Sequence, residues 1–312
     1  GLAAGLLGKD IADPELINAE KVCQQQGILL VFQVKKIGAV HPNTYQVELK
    51  GKNGKELCLT ALSTGGGIIS LTELNGAAVE DDHEFVASLM PVNVVKKPEM
   101  PFFDIDSCIE LMIERGGRLS KAAFAWESAL GQFERKDIVG LAQQNLKAMM
   151  NAVNIGMAGT VYADRILPQQ APRFEAAAQT GKLIPAELTN KIIMSVTAVM
   201  ETKSSMGVIV AAPTAGSCGT LAGTLSAVAE VCQKSEEEMI SALMAAGLLG
   251  VFIAQQGGFA AEEGGCQYEC GAASGMTAAA LVELMGGDGQ VACSAASMAL
   301  QNTLGLICDP VA

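Results

Sequence analysis

Three glycine-rich segments of this chain each carry cysteine beside small and hydroxylated residues. They are Ala212-Pro213-Thr214-Ala215-Gly216-Ser217-Cys218-Gly219, Glu262-Glu263-Gly264-Gly265-Cys266-Gln267-Tyr268-Glu269-Cys270-Gly271 and Gly305-Leu306-Ile307-Cys308-Asp309-Pro310. Each is read as a loop with a predicted helix on at least one side. A glycine-rich turn beside a helix N-terminus exposes backbone N–H groups, which suit an anionic ligand or the sulfides and thiolates of a cluster. Thiolates favour soft metals, zinc and iron–sulfur above all, and iron–sulfur clusters are held mainly by Cys. No pair has the C-x₂-C spacing of a structural zinc site. Cys266 and Cys270 are C-x₃-C, which by itself distinguishes little. Cys266 and Cys308 are the foremost ligand candidates, with Cys218 and Cys270 behind them. The alternative is a set of reduced core thiols, since free Cys is among the most buried residue types. Cys232 and Cys293, inside apolar helices, and Cys23, Cys58 and Cys108, in or beside the smaller domain, are read that way.

Other groups suited to chemistry lie elsewhere in the chain. Ser63-Thr64-Gly65-Gly66-Gly67 reads either as a nest of consecutive N–H groups for a carboxylate or as a strand connection. His41 precedes Pro42, so its backbone is expected to be extended. Histidine suits proton transfer near neutral pH, although a lone loop histidine is also an ordinary surface or structural residue. Thr214 and Ser217 are placed to bind substrate or to cap the helix that follows.

The elements that must position these groups fall into two kinds. Residues 1–90 read as a small α+β domain. A helix from Asp13 to about Gln26 is stopped by Gly27, and Ile28–Val34 reads as a strand. Thr44–Lys50 and Leu57–Leu62 flank a turn at Lys52-Asn53-Gly54, where Asn-Gly tolerates positive φ at both turn positions, and Ile68–Leu74 follows. Residues 91–104 hold Pro91, Pro98 and Pro101 and predict an extended linker. From 105 to 312 the periodicity is helical, predicting an all-α domain of buried Gly/Ala-rich helices. The predicted helices are Ile105–Arg115, Ser120–Glu134, Lys136–Gly156, Pro185–Met200, Thr220–Cys232, Glu236–Ala254, Met276–Met285 and Gln290–Leu304, with Pro185 in a first turn.

Composition narrows the partners. A net charge of -12 argues against nucleic acid and anionic membrane, and favours a small-molecule substrate. Segments 204–229, 239–261 and 289–308 carry no charged side chain, and each reaches the roughly 20 residues that span a bilayer. They are rich in Gly, Ser, Thr and Gln, contain Pro213 and lack Trp/Tyr belts, so they are read as core helices. The cysteine spacing is not that of a secreted disulfide scaffold, and a cytoplasmic protein is expected.

With these residues on the page, the sequence resembles the bacterial iron–sulfur-dependent L-serine dehydratases. Residues from about 105 to 312 are similar to their α part through Ser205-Met206-Gly207, Ala212 to Ser217, Glu263-Gly264-Gly265-Cys266-Gln267, and Leu304 to Ala312 with its Cys308-Asp309-Pro310. Residues 1–76 resemble their β part through Gly5-Leu6-Leu7-Gly8, His41-Pro42-Asn43-Thr44 and Ser63 to Gly67. The resemblance implies dehydration of L-serine to pyruvate and ammonium by a [4Fe-4S] cluster on three Cys, without pyridoxal phosphate. Two of the three map onto Cys266 and Cys308, and the third is expected beyond Ala312. The family's Ser-Ser-His-Thr and Lys-Gly-His-Gly sequences are not found here, no ACT-type regulatory domain fits between residues 77 and 104, and both ends are expected to be internal to a longer protein. In the implied chemistry, an open iron activates the substrate hydroxyl while a base takes the α proton. Ser63, Thr64, Gly65, Gly66, Thr214 and Ser217 would bind substrate, and His41 would transfer a proton. A homodimer acting on a small amino acid is expected. Cysteine desulfidation, threonine dehydration and a non-catalytic metal or redox role are the alternatives.

Overall fold

The computed structural model describes residues 2–9, 13–39, 41, 43–65, 68–79, 99–115, 117–163 and 165–306. The architecture is the expected one, a small antiparallel sheet followed by a helical body.

The N-terminal region starts with α1 (Leu2–Leu6). The helix expected over 13–26 is split into a 3₁₀ turn, Pro14–Asn18, and α2, Ala19–Gln25. Gly27, at φ 74, ends it. Ala3, Ala4, Ala19 and Cys23 form a small buried cluster of their own. Strand Ile28–Val34 is corrected by the structure, since none of the described strands pairs with it. Leu29 and Val34 are 89% and 107% exposed. Alternation and β-branching suit a strand, but a ladder needs a neighbouring edge, and here none is supplied.

Strands β1 (Thr44–Lys50), β2 (Glu56–Gly65), β3 (Ile68–Leu74) and β4 (Ala77–Ala78) form an antiparallel meander in chain order. Lys50 pairs with Glu56 across the first hairpin. Its turn differs from the two-residue form that Asn-Gly suggests. Only Gly54 is left-handed, at φ 78, and Gly51 N–H donates to Lys55 O at 2.8 Å. The loop is therefore three residues with glycine at the left-handed position.

The helical body runs through α3 (Ile105–Arg115), α4 (Leu119–Gly131), α5 (Arg135–Ala158), α6 (Ala171–Gln179), α7 (Glu187–Ser204) and α8 (Cys218–Val231). It continues through α9 (Glu236–Gln256), the single turn α10 (Ala261–Gly264), α11 (Cys266–Leu284) and α12 (Gly289–Asn302). Two boundaries depart from expectation in ways that bear on the site. Helix α11 begins at Cys266, not Met276, because its first half is fastened by neighbours rather than by an apolar stripe. Pro185 stands ahead of α7, whose N-cap is Ala186. Helix α6 falls in a stretch where no helix was expected.

Small residues set the helix spacing. A Cβ on Gly223 of α8 would fall 2.4 Å from Val196 N of α7, and one on Gly156 of α5 would fall 1.9 Å from Ala198 O. Helix α7 is thus gripped between α5 and α8 at backbone contact. One core joins Leu146 and Met149 of α5, Val199 of α7, Leu221 and Leu225 of α8, Ile240 of α9 and Met276 of α11. A second gathers Trp126, Leu248, Phe252, Ala279, Ala292 and Cys293 around Phe102, which is 2% exposed. Phe102, at the end of the proline-rich stretch 91–104, stacks 5.1 Å from Trp126, so residues near it belong to the helical core. Residues 80–98 lie outside the described ones.

Helix α9 is the one described helix long and apolar enough to cross a membrane. In the fold its Ala242, Ala245, Ala246, Leu248 and Leu249 are buried in the two cores. Glu283 of α11 is fully buried and tied to the start of α4: Arg118 Nε lies 2.8 Å from its Oε1, and Ser120 Oγ donates to the same oxygen at 2.6 Å. A buried carboxylate demands such partners, because leaving it unpaired costs several kcal/mol, on the order of 3–5.

Candidate active site

The site is built where α11 begins. Gly265 is its N-cap at φ 71, a left-handed position that favours glycine, and Cys266 is the first helical residue. Cys270 follows one turn later. Residues four apart lie on the same helix face, so both sulfurs project from one side of the α11 N-terminus. Both residues are half-buried. This corrects their placement in a loop: the turn ends at Gly265, and the cysteines sit on the helix itself. A helix N-terminus favours negative charge, which suits thiolate ligands.

Gln267 fastens the far end of the chain to this turn. Its Nε2 donates to Leu306 O at 2.8 Å, and its Oε1 accepts from Gly305 N–H at 3.3 Å. Both groups of one amide hold the residues that lead to Cys308. Cys308 itself lies outside the described residues. Among the described residues no set of three His, Cys, Asp or Glu side chains gathers as a metal site. The donors present at this turn, two thiols beside a helix N-terminus, fit a soft thiophilic centre better than a hard cation.

The loop ahead of α8 faces the same turn. Thr214 Oγ1 donates to Glu269 Oε1 at 2.6 Å and lies 3.1 Å from Ser217 Oγ. Ser217 Oγ donates onward to Ala212 O at 3.4 Å. Ser217 occupies the N-cap position of α8 but makes no capping hydrogen bond, so its hydroxyl belongs to this cluster and not to the helix end. Thr214 and Ser217 are buried, at 8% and 3% exposure. Gly216 lets the loop approach: a Cβ there would lie 2.7 Å from both oxygens of Glu269. Glu269 is the residue of this cluster that sequence reasoning missed. Its partner Thr214 is distant in sequence, and a single acid gives no spacing signal.

Cys218 sits deeper in the fold than Cys266 and Cys270. It is the first residue of α8, fully buried, and burial pushes its thiol up to about 11 against the pull of Lys203. Its sulfur contacts Met200 Sδ at 3.9 Å. It packs in the first core.

The sheet reaches this region through its β1 end. Asn43 Nδ2 donates to Glu262 Oε1 at 3.2 Å, on α10, just ahead of Cys266. Asn43 O accepts from Ser63 N–H at 3.0 Å, which sets Ser63 beside the His41 loop. Asn43 N–H donates to His41 Nδ1 at 3.2 Å, and Thr44 Oγ1 donates to His41 O at 2.6 Å. Because Nδ1 accepts that bond, a neutral His41 carries its proton on Nε2. Gly65 closes β2, while Gly66 and the side chain of Thr64 lie outside what is described.

The helical body sets paired thiols at one helix start against a hydroxyl–carboxylate loop, and the small sheet reaches them through Asn43. Residues 58–312 match the family model of the serine dehydratase alpha chain, and the chain belongs to that family. The match begins within β2 and so takes in part of the sheet as well as the helices. The chain is 36% identical over 211 residues to the probable L-serine dehydratase alpha chain of Bacillus subtilis (strain 168), covering 68% of this chain and 70% of that protein. It is 42% identical over 142 residues to the L-serine dehydratase alpha chain of Peptoniphilus asaccharolyticus, covering 46% and 49%. With L-serine dehydratase 1 of Escherichia coli (strain K12) it shares 28% over 281 residues, covering 88% of this chain and 58% of the relative. The chain thus spans from about half (49%) to 70% of the length of these relatives.

Proposed function

We propose that this chain carries the dehydrating centre of an L-serine ammonia-lyase, converting L-serine to pyruvate and ammonium. The observation that carries the reading is the turn at the start of α11, where Cys266 and Cys270 stand beside Gln267, the residue that holds Gly305 and Leu306 ahead of Cys308. Cys266 and Cys308 would hold a [4Fe-4S] cluster together with a further Cys, with Cys270 close enough in the helix to serve in its place. When bound, the cluster supplies a Lewis-acidic iron for the substrate hydroxyl. No pyridoxal phosphate enters this chemistry.

The chain's own residues do the rest. Ser63, Thr64, Gly65 and Gly66, where β2 ends, would bind the substrate carboxylate, Ser63 through its hydroxyl because its N–H is taken by Asn43 O. Thr214 and Ser217 offer buried hydroxyls at the base of the site. A neutral His41 with its proton on Nε2 would offer that N–H as a hydrogen-bond donor to the substrate hydroxyl, and with Nδ1 engaged by Asn43 N–H it has no free nitrogen to accept the α proton. A cytoplasmic homodimer is part of the same proposal. Sedimentation of purified protein at twice the 32.3 kDa of this chain supports the dimer, and sedimentation at that mass overturns it.

Anaerobic purification of the full-length protein tests the reading. Iron, acid-labile sulfide, a broad visible absorption and pyruvate release from L-serine are expected together. Faster turnover of L-cysteine or L-threonine would reassign the substrate within the same chemistry. Bound iron without turnover of any of the three would point to a metal protein with no dehydratase activity.

A further inference from the structure

A serine zwitterion brings an ammonium that the hydroxyls and N–H groups named so far do not neutralise. Of the acids near the start of α11, Glu262 is exposed and engaged with Asn43, and Glu263 is exposed. Glu269 is half-buried and lies one turn from Cys266, on the same face of α11. Its Oε1 is taken by Thr214. Among the described residues no donor is recorded to its Oε2. Gly216 closes one side of the carboxylate at backbone distance, so water has limited room there.

We propose that Glu269 is the substrate's ammonium site, its Oε2 receiving the α-ammonium while Thr214 fixes the carboxylate through Oε1. This rests on the dehydratase reading and adds what makes the site select an amino acid over a hydroxy acid. The Thr214 hydrogen bond holds the carboxylate in one rotamer, so the ion pair forms without further ordering of the side chain. Partial burial strengthens a charge-assisted hydrogen bond relative to water. Gly216 is then a requirement of recognition: any side chain there would displace the carboxylate.

Two unreactive ligands separate the ammonium's contribution from everything else. α-Methyl-L-serine keeps ammonium, carboxylate and hydroxyl but has no α proton to lose. 3-Hydroxypropionate keeps carboxylate and hydroxyl but has no ammonium. Calorimetric titration of the full-length, cluster-loaded enzyme is expected to favour α-methyl-L-serine by about tenfold, the scale of a charge-assisted bond in a half-buried site. Glu269→Gln is expected to erase that preference while binding 3-hydroxypropionate at least as tightly as the wild type, since a negative charge near an anionic ligand has been removed. A merely structural residue gives no such gain.

Equal weakening of both ligands in Glu269→Gln would overturn the proposal and leave Glu269 as a support for the loop. An undiminished preference would overturn it too, and if kcat nevertheless fell, the carboxylate would be a proton acceptor instead. Should Glu269→Gln fail to fold, Gly216→Ala carries the test. Its methyl group would fall 2.7 Å from both oxygens and displace the carboxylate, so the preference for α-methyl-L-serine is expected to fall with 3-hydroxypropionate binding kept, and an undiminished preference sinks the idea. A wild-type enzyme that binds neither ligand and makes no pyruvate removes the dehydratase reading itself. A wild type that makes pyruvate without preferring the aminated ligand removes only the role of Glu269.

Discussion

Cys108 and Cys293 share the second core, and burial there pushes the Cys108 thiol up to about 12, with Cys293 raised by the same cause. Only the thiolate is a ligand or a nucleophile, so these two are packing residues at neutral pH. Cys266 stands at a helix start, half-buried, in the turn that Gln267 organises. The contrast yields a paired prediction. Cys266→Ala is expected to lose iron and L-serine turnover while staying folded. Cys293→Ala is expected to keep both and lose about 1 kcal/mol of stability, as small core truncations do. Metal analysis and denaturant unfolding on the two proteins check this, and a Cys266→Ala enzyme with normal iron content would remove Cys266 from the ligand set. The candidate cysteines were legible in the sequence because thiols in glycine-rich segments are conspicuous. Glu269 was not, since what marks it is a 2.6 Å contact with a residue remote in the chain.

At the scale of elements, α7 shows how glycine sets helix spacing. Gly223→Ala would drive a methyl group into the Val196 backbone, at 2.4 Å, where no side-chain rotation relieves it. A loss of about 1–3 kcal/mol is expected from such overpacking. Gly247 of α9 is also helical, but it is exposed and a Cβ there meets nothing within 4 Å. Gly247→Ala is expected to stabilise by about 0.5–1 kcal/mol through helix propensity alone. Thermal or denaturant unfolding of both variants decides, and a change of the same sign in both would refute the argument.

The start of α9 supports a pH prediction. Ser235 and Glu238 form a capping box, with Glu238 Oε2 accepting from Ser235 N–H at 2.8 Å and Lys234 Nζ 3.0 Å from Oε1. The Ser235 backbone N–H, with Lys234 and the Ser235 hydroxyl, lowers the Glu238 carboxyl to about 2 from an ordinary 4.5. A carboxyl lowered by folding contributes above its unfolded pKa, and that contribution fades as pH falls toward the folded one. The stability difference between wild type and Glu238→Gln is therefore expected to be constant above about pH 5 and to close as pH approaches 2. A difference that grew on acidification would contradict the cap.

Helices α3 and α9 could be read from apolar spacing and a capping sequence, and they appear nearly where expected. The first half of α11 could not. Gly271, Gly275 and interleaved alanines leave no apolar stripe, and tertiary contacts with Leu300 and Thr303 of the neighbouring segment hold it in place. The unpaired stretch Ile28–Val34 fails for the complementary reason: its local pattern is that of a strand, but pairing is decided by an edge that the local sequence does not contain.

At the scale of the whole molecule, sheet and helical body meet at the site through Asn43 and Glu262. This exposed hydrogen bond joins the loop bearing His41 to the turn ahead of Cys266. Asn43→Ala removes it, and with it the backing that orients the loop. KM for L-serine is expected to rise by about fivefold, the scale of one hydrogen bond, with iron content unchanged. An unchanged KM would mean that the sheet takes no part in holding substrate. The formal net charge of the chain is -12, so the long-range field does not attract an anionic ligand.

The grip of Gln267 on Gly305 and Leu306 has a consequence for how the centre is assembled. Helices α11 and α12 already double the chain back on itself, packed through Ala279, Ala292 and Ala296 of the second core, all buried. The entropy of closing the long loop between Cys266 and the segment before Cys308 is met by that packing, not by metal ligation. In a zinc finger the ion supplies the folding energy, and removing it unfolds the chain. Here the socket precedes its contents. Chelation should bleach the visible absorption yet leave helical circular dichroism and the melting transition largely in place, and iron with sulfide should restore colour and turnover together.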